Sequence, residues 1–359
     1  MSSLVSRFSF SDGVITTAPH PDPSDEIALG AGWVDLQVNG AWGNDFTSDP
    51  SSIWEVGARL PETGVTAFLP TIISAPYEVA DTAIEVLHSG PPAGYRGAQP
   101  IGLHIEGPWI SPEWSGAHNP EHLRGPDIEV ARRWADSGVV KMVTIAPELE
   151  DAPVVASLLA SSGVVVSAGH SDADFTTATQ ALQGSWTSVT HLFNQMTPFH
   201  HRAPGMVGAA LLSNRACGVI VDGVHADPAA VELAWRHLGP DRMCLVTDSI
   251  AATGLGEGTY PLGDVEVAVG GDGPRTSTGD LAGSTLTMDR ALANLVRWTG
   301  STLEQALDSA SLVPARMIGA TDRGRLAPGF RGDIVVLDHD LHLVETIIGG
   351  EVVYRSKKG

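Results

Sequence analysis

Short apolar runs, each followed by a longer and often amphipathic stretch, recur along most of this chain. The eight runs lie at 32–39, 65–72, 100–106, 139–146, 164–170, 187–193, 217–222 and 242–248. Amphipathic stretches between them include 77–88, 127–137, 152–162, 173–183 and 227–238. Strand–helix alternation repeated eight times predicts an α/β fold, a parallel (β/α)₈ TIM-type barrel rather than a doubly wound sheet. A chain of 359 residues is long enough for such a barrel with a small appendage.

The two ends of the chain depart from this alternation. Residues 1–30 contain short strand candidates with Pro and Gly but no helical pattern, whereas 325–359 read as a hairpin, GDIVVLD followed by LVETIIGGEVVY. Each end is too short to fold alone. We therefore expect 1–30 and 325–359 to pair into one small β domain beside a barrel of residues 31–324. Helical patterns at 285–298 and 303–318 join the barrel to its C-terminal part.

The charge of the chain limits its partners. Forty-two acidic against twenty-one basic residues give a net charge of -21 at pH 7, a field that disfavours binding to nucleic acid or an anionic membrane. No run approaches the roughly 20 apolar residues of a membrane span, and MSSLVSRFSF lacks the apolar segment of a signal peptide. Cys217 and Cys244 lie inside apolar runs, which predicts reduced core thiols and a cytoplasmic protein.

Polar side chains cluster where the predicted strands end, which is the active-site end of such a barrel. Glu106 ends the third strand, His170 the fifth and His191 the sixth. One carboxylate and two imidazoles that converge from separate strands suit a catalytic zinc-type site with an open water position. For His104, on the same face as Glu106, we favour a supporting or core role. Asp248 ends the last strand, either as a loop-capping residue or as the acceptor of a proton from metal-bound water.

A series of short strings runs from the first predicted strand nearly to the C-terminus. They are VDLQVNG, GLHIEGPW, GAHNPEH, VTIAPE, SAGHSDA, THLFNQM, HHRAPG, DGVHAD, CLVTDS, LAGSTLTM and PARMIG. In this order they closely resemble the N-acetylglucosamine-6-phosphate deacetylases, a family of the amidohydrolase superfamily. The resemblance implies a (β/α)₈ barrel with a small β domain, a divalent metal ion and a homodimer. It also implies removal of the acetyl group from N-acetylglucosamine 6-phosphate, in amino-sugar catabolism or recycling.

The resemblance assigns roles to individual residues. It implies metal ligation by Glu106, His170 and His191, and a general acid/base role for Asp248. We expect His118 to polarise the acetyl carbonyl as a catalytic residue. The implied substrate contacts are Ala117, His118, Asn194, Gln195, Arg202, His225, Leu281, Ala282, Gly283 and Ser284. Related enzymes complete their phosphate pocket with an arginine from the neighbouring subunit, which suggests that role for Arg202.

Two departures from the family pattern stand out. Many amidohydrolases carry a His-x-His pair on the first strand, whereas this chain has Gln37 and Asn39. Neutral amides bind divalent transition metals far more weakly than imidazole does, so these residues mark a vestigial second-metal position. We therefore expect one divalent ion per chain, zinc in first place with other transition metals as alternatives. The segment before Val34 is also short relative to the family.

Two other functions are alternatives to the deacetylase hypothesis. The first is an amidohydrolase that acts on an N-acyl amino acid or a cyclic amide, against which Arg202 and its HHRAPG loop argue. The second is a catalytically silent barrel that serves as a binding protein. Such a chain is expected to lose metal ligands or the last-strand aspartate, whereas this one retains Glu106, His170, His191 and Asp248.

Overall fold

The computed structural model describes residues 8–18 and 27–357. Its strands are β1 (Ser9–Ser11), β2 (Val14–Thr17), β3 (Ile27–Ala31), β4 (Trp33–Val38), β5 (Gly40–Ala41), β6 (Asn44–Asp45), β7 (Val65–Ile72), β8 (Gln99–Pro100), β9 (Leu103–Glu106), β10 (Val140–Ile145), β11 (Val165–Ala168), β12 (Trp186–Val189), β13 (Ala216–Val219), β14 (Met243–Leu245), β15 (Gly258–Leu262), β16 (Val265–Gly270), β17 (Gly273–Thr276), β18 (Ile334–Asp338), β19 (Leu343–Ile348) and β20 (Glu351–Arg355). Its α-helices are α1 (Ile53–Arg59), α2 (Tyr77–Ser89), α3 (Ile128–Asp136), α4 (Ala152–Ser161), α5 (Phe175–Gln183), α6 (Gly205–Leu212), α7 (Pro228–Leu238), α8 (Met288–Thr299), α9 (Leu303–Ala310) and α10 (Leu312–Met317).

Eight of these strands form a parallel barrel. Their order is β4, β7, β9, β10, β11, β12, β13 and β14, and each strand lies beside its neighbours in sequence. The last and first strands meet just beyond β14, where the Asp248 amide donates to the Gln37 carbonyl at 2.9 Å and the Asn39 amide to the Ser249 carbonyl at 2.8 Å. Helices separate the strands along the chain. The predicted (β/α)₈ barrel is confirmed.

Five amphipathic stretches fold as predicted, as α2, α3, α4, α5 and α7. Aspartates at the starts of three of them explain where they begin, since each accepts hydrogen bonds from the first amides of its helix. The Asp127 carboxylate caps α3, Asp174 caps α5 and Asp227 caps α7. Helices α1 and α6 were not predicted. Helix α1 has only seven residues, and α6 is buried nearly all round, so neither shows an amphipathic period.

The predicted helix at 303–318 is wrong as a single element. Helix α9 ends at Ala310 and α10 begins at Leu312, with Ser311 between them in a non-helical conformation. Proline lacks the N–H that would bond to the carbonyl four residues earlier, and its ring collides with that carbonyl. Pro314 stands four residues after Ala310, so a continuous helix is interrupted there.

The two ends of the chain form one antiparallel sheet, in the order β20, β19, β18 and β3. The expected small β unit from both ends is therefore present, although residues 1–7 and 19–26 lie outside the described part. Its C-terminal portion has three strands rather than the predicted hairpin. Gly349 and Gly350 have φ of 58° and 82°, and two consecutive residues of positive φ make a tight hairpin turn. That turn divides LVETIIGGEVVY into β19 and β20.

Strand β18 is shared by two hydrophobic cores. Val335 and Leu337 belong to the large core of the barrel, whereas Ile334 and Val336 belong to a small core with Phe8, Ile15 and Ile347. Successive side chains of a strand point to opposite faces. Strand β18 therefore packs one face against the barrel core and the other against the small core, and so joins the terminal sheet to the barrel. The free Cys217 and Cys244 are buried in the large core, as predicted.

A second small sheet, β15, β16 and β17, was not predicted at all. Its three antiparallel strands lie between the end of the barrel and α8. The turn between β15 and β16 is fixed to two barrel loops: the Gly263 amide donates to Asp45 at 3.0 Å, and the Asn119 side chain donates to Asp264 at 2.7 Å. This sheet therefore sits over the mouth of the barrel. Among residues 8–18 and 27–357, none of the helices is long and apolar enough to cross a membrane.

Candidate active site

Glu106, His170 and His191 meet in the mouth of the barrel. Glu106 Oε1 lies 3.0 Å from His191 Nε2 and 3.3 Å from His170 Nε2, and the two Nε2 atoms are 3.0 Å apart. All three side chains are buried. Ligands about 2.0–2.2 Å from a tetrahedral zinc ion lie about 3.3–3.6 Å from one another. The separations observed here are slightly shorter, and a small movement of the side chains would admit one metal ion.

Tautomer chemistry supports the same fit. His170 Nδ1 lies 2.8 Å from the carbonyl oxygen of Trp114. A carbonyl can only accept, so Nδ1 carries the hydrogen and the neutral ring keeps its lone pair on Nε2, the atom that faces Glu106. A hydrogen bond of this kind from the outer nitrogen is typical of metal-binding histidines.

Backbone conformation places three of the predicted site residues. His170 and His191 follow the ends of β11 and β12 by two residues, and Asp248 follows β14 by three. Their φ angles are 49°, 26° and 51°, in the left-handed region. The three predicted strands therefore extend too far, by two residues at β11, four at β12 and three at β14. A strand cannot continue through a left-handed residue, and the turn directs each side chain into the mouth.

Gln37 and Asn39 donate hydrogen bonds to carboxylates. Gln37 Nε2 lies 3.0 and 3.1 Å from the two oxygens of Glu106, and Asn39 Nδ2 lies 2.8 Å from Oδ1 of Asp248. Both amides are buried. The two positions that a histidine pair occupies in many amidohydrolases thus orient one acidic residue each in this chain.

The two carboxylates of the site have opposite pKa shifts. Burial alone would raise the pKa of Glu106, but hydrogen bonds from His170 and His191 outweigh it and hold that pKa well below its usual range. Burial raises the pKa of Asp248 to about 7, the negative charge of Glu106 adds to the rise, and Asn39 limits it. One carboxylate is therefore suited to stay ionised, and the other to exchange a proton near neutral pH.

His118 lies against His170, one of the three residues that could hold a metal ion. Its ring centroid is 4.5 Å from that of His170, in an edge-to-face arrangement. Burial, together with a smaller contribution from neighbouring His170, lowers the pKa of His118 to about 3. The ring is therefore neutral at physiological pH. Its Nδ1 contacts Ser74, a residue that sequence analysis did not single out.

These residues surround one cavity of about 300 Å³. Of the predicted residues, it is lined by Asn39, Glu106, Ala117, His118, His170, His191, Asn194, Gln195, His225, Asp248, Leu281 and Gly283. Its wall also includes Ile73, Leu262, Arg275, Gly279 and Asp280, which were not predicted. Several of these additions come from the second small sheet and the loop after it, for which the sequence showed no motif.

His225 is held at the cavity wall by a residue of its own loop. Its Nδ1 lies 2.7 Å from Oδ2 of Asp222, whose other oxygen accepts from the amides of Val224 and His225 at 2.8 Å. Burial alone would raise the pKa of Asp222, but its hydrogen bond and charge interaction with His225 lower it. The DGVH string carries this pair, so the sequence contained a signal for Asp222 that went unused.

Three predicted contacts do not line the cavity. Ala282 and Ser284 are fully buried behind it, and Ser284 Oγ donates to the Thr247 carbonyl next to Asp248. Arg202 is exposed, and its guanidinium lies 2.7 Å from His201 Nε2. It lines a separate surface depression with Asp174 and His200. Arg202 thus does not line the cavity of its own chain.

Comparison with known proteins agrees with this geometry. The amidohydrolase family matches residues 31–353. The N-acetylglucosamine-6-phosphate deacetylase of Bos taurus is 40% identical over 92% of this chain and 84% of its own. The structure of the deacetylase of that name from Thermotoga maritima has a TM-score of 0.88 and 35% identity, covering 97% of this chain and 95% of its own.

A mutant deacetylase from Mycobacterium smegmatis, solved in complex with N-acetyl-D-glucosamine-6-phosphate, has a TM-score of 0.88 and 32% identity. That similarity covers 96% of this chain and 94% of the other. Both the family match and these relatives extend over most of the chain. The protein therefore belongs to the amidohydrolase family, within the group of N-acetylglucosamine-6-phosphate deacetylases.

Proposed function

We propose that this protein hydrolyses the acetamide of N-acetylglucosamine 6-phosphate, giving acetate and glucosamine 6-phosphate. The observation that carries the proposal is the buried group of Glu106, His170 and His191, with Asp248 on the wall of the same cavity. Relatives named for this activity, one of them bound to the sugar phosphate, support the choice of substrate.

Glu106, His170 and His191 would hold one divalent metal ion, and zinc suits this set of one oxygen and two nitrogen donors. When bound, the ion would lower the pKa of a water molecule and polarise the acetyl carbonyl. Gln37 and Asn39 use their amide nitrogens to donate to Glu106 and Asp248. The atoms left to bind a second ion are neutral amide oxygens, which bind transition metals more weakly than imidazole does, and this supports a single ion per chain.

Asp248 would move the proton. As a carboxylate it accepts a proton from the attacking water, and it then passes that proton to the departing amine, which cannot leave as an anion. A pKa raised to about 7 by burial suits both steps, because the group can accept and release a proton near neutral pH. Asn39 fixes Oδ1, which leaves Oδ2 for the water.

His118 would donate to the acetyl oxygen as negative charge develops there. The walls formed by Ala117, Asn194, Gln195, His225, Leu281 and Gly283 would contact the sugar and the acyl group. Ala282 and Ser284 would support the cavity wall rather than contact the substrate. The hydrogen bond from Ser284 to the Thr247 carbonyl would hold their loop in place over the site.

Recognition of the phosphate would involve a second subunit. Arg202 is exposed and lies outside its own cavity, and neighbouring Phe199 is 60% exposed. We infer a homodimer in which Arg202 reaches the phosphate of the neighbouring site, where a guanidinium binds phosphate well. Such a local cation would offset the -21 charge of the chain.

We further propose that residues 1–30 and 325–359 form one structural unit, and that 31–324 form the catalytic barrel. The shared strand β18 supports close packing of the two units. We place the enzyme in the cytoplasm, since two free buried thiols suit a reducing compartment.

An acetate-release assay tests the substrate. The protein, freed of metal and reloaded with zinc, is given N-acetylglucosamine 6-phosphate, the unphosphorylated sugar, the galactosamine epimer and an N-acyl amino acid. We expect kcat/KM to be highest for the first and at least about a hundredfold lower without the phosphate, which is the weight of one buried charge pair. Equal rates for both sugars, or preference for the amino acid, would contradict the proposal. No release from any substrate would favour the silent barrel.

A further inference from the structure

Ser74 lies just after β7 and contacts His118 through two groups. Its backbone amide lies 3.2 Å from His118 Nδ1, and its hydroxyl oxygen lies 2.7 Å from the same nitrogen. Both residues are buried, with Ser74 2% and His118 4% exposed.

The pair determines which nitrogen of His118 carries its hydrogen. A backbone amide can only donate, so Nδ1 must be the acceptor. A hydroxyl can donate or accept, and beside an acceptor nitrogen it donates. A neutral imidazole has one N–H, so the hydrogen of His118 is on Nε2. Two donors to Nδ1 thus specify a single tautomer.

Gly107 makes room for this arrangement. A Cβ at this position would lie 2.3 Å from Ser74 Oγ and 3.6 Å from His118 Nδ1, and its φ of +82° also favours glycine. The residue that follows Glu106 therefore allows the hydroxyl of Ser74 to approach the ring. On its other side the ring packs against His170 at 4.5 Å between centroids.

We infer that Ser74 is a positioning residue that fixes His118 as the Nε2–H tautomer and so presents an N–H donor to the substrate carbonyl. The inference deepens the proposed function, on which it rests. A carbonyl oxygen that gains negative charge is stabilised by a donor and repelled by a lone pair. The other tautomer would place a lone pair on Nε2 and would not stabilise the negative charge on the carbonyl oxygen.

Kinetics of three serine variants test the positioning role. Ser74→Ala removes the shorter donor but keeps the amide, so we expect kcat to fall about tenfold, the value of one orienting hydrogen bond. KM should change by less than about twofold, since the interaction forms in the transition state. Ser74→Thr keeps the hydroxyl and should recover most of kcat. Ser309→Ala is the matched control, because this buried serine donates to the Gln305 carbonyl of its own helix.

Nuclear magnetic resonance of isotope-labelled histidine in the zinc-loaded protein reads the tautomer without turnover. The signals of His118 are identified by their loss in His118→Gln. We expect an unprotonated, hydrogen-bonded Nδ1 and a protonated Nε2, with the Nδ1 signal shifted in Ser74→Ala. A protonated Nδ1 in the wild type, or an unchanged kcat in Ser74→Ala, would overturn the inference. Failure to release acetate with the expected tautomer would count against the proposed function alone.

Discussion

Asn39 and Asp248 are joined by a 2.8 Å hydrogen bond between residues that follow the first and the last barrel strands. The bond runs from Nδ2 to Oδ1, and both side chains are buried. It lies where the barrel closes, next to the backbone bond from the Asp248 amide to the Gln37 carbonyl. Closure of the barrel and orientation of Asp248 therefore depend on the same few residues.

Replacing Asn39 tests whether this orientation matters for turnover. In Asn39→Ala the carboxylate of Asp248 loses its fixed direction, and we expect kcat to fall about tenfold, as for the loss of one hydrogen bond to a charged group. Metal content should stay at the wild-type level. A variant with normal kcat would show that Asp248 is positioned by its backbone alone.

Asp248→Asn tests the proton transfer itself. Asparagine keeps the shape of the side chain but cannot accept the proton, so turnover should drop at least about a hundredfold. Circular dichroism and elemental analysis check that the fold and the metal persist. Activity within a few fold of wild type would remove Asp248 from the mechanism.

The metal content follows from the donors in the mouth of the barrel. After extensive dialysis, elemental analysis should approach about one divalent ion per chain, as for a three-ligand catalytic site. Glu106→Gln should lose most of it, because a neutral amide replaces the ionised ligand. Two ions retained at full occupancy would mean that Gln37 and Asn39 also bind metal.

Subunit mixing tests the proposed role of Arg202. Homodimers of Asp248→Asn and of Arg202→Ala should each be nearly inactive at low concentrations of the phosphorylated sugar. In a mixed dimer, one site has an intact Asp248 and receives Arg202 from the other chain. Random reassortment should restore roughly a quarter of wild-type activity. Proven subunit exchange without recovery would contradict a cross-chain arginine.

Asp35 gives a stability prediction that does not involve catalysis. Burial raises its pKa to about 7, against three hydrogen bonds from Thr247 and Gln37 that limit the rise. The folded protein thus holds this proton more tightly than the unfolded chain, so Asp35 weakens the fold progressively as pH rises from about 4 to 7. In the metal-free protein, Asp35→Asn should gain up to about 4 kcal/mol relative to wild type over that range. Denaturant unfolding of both proteins at several pH values measures their free energies of unfolding. A difference between the two that does not change with pH would contradict the prediction.

The barrel and the close grouping of three polar side chains at its mouth could be predicted because both follow from periodic patterns. Eight apolar runs specify eight buried strands, and the ends of parallel strands meet at one edge. Glu106, His170 and His191 were therefore predicted together from residues far apart in sequence. The exact ends of strands β11, β12 and β14 were not, since left-handed conformations at non-glycine residues leave no local pattern.

Other parts of the site depend on tertiary contacts that a single sequence does not reveal. The sheet of β15 to β17 is largely exposed and short, so its alternation is weak. Ser74 resembles any serine after a strand until the fold brings it within 2.7 Å of His118. The position of Arg202 outside its own cavity depends on how the loop after β12 folds.

At His170, His191 and Asp248 the fold and the chemistry favour opposite residues. Each has a left-handed φ, which costs a non-glycine residue of order 1–3 kcal/mol. Glycine would adopt the same backbone with little strain, but it offers neither an imidazole nor a carboxylate. Selection for stability alone would thus erode these three positions first, and only selection for turnover retains them. Drift in a lineage that no longer needed the reaction would begin here.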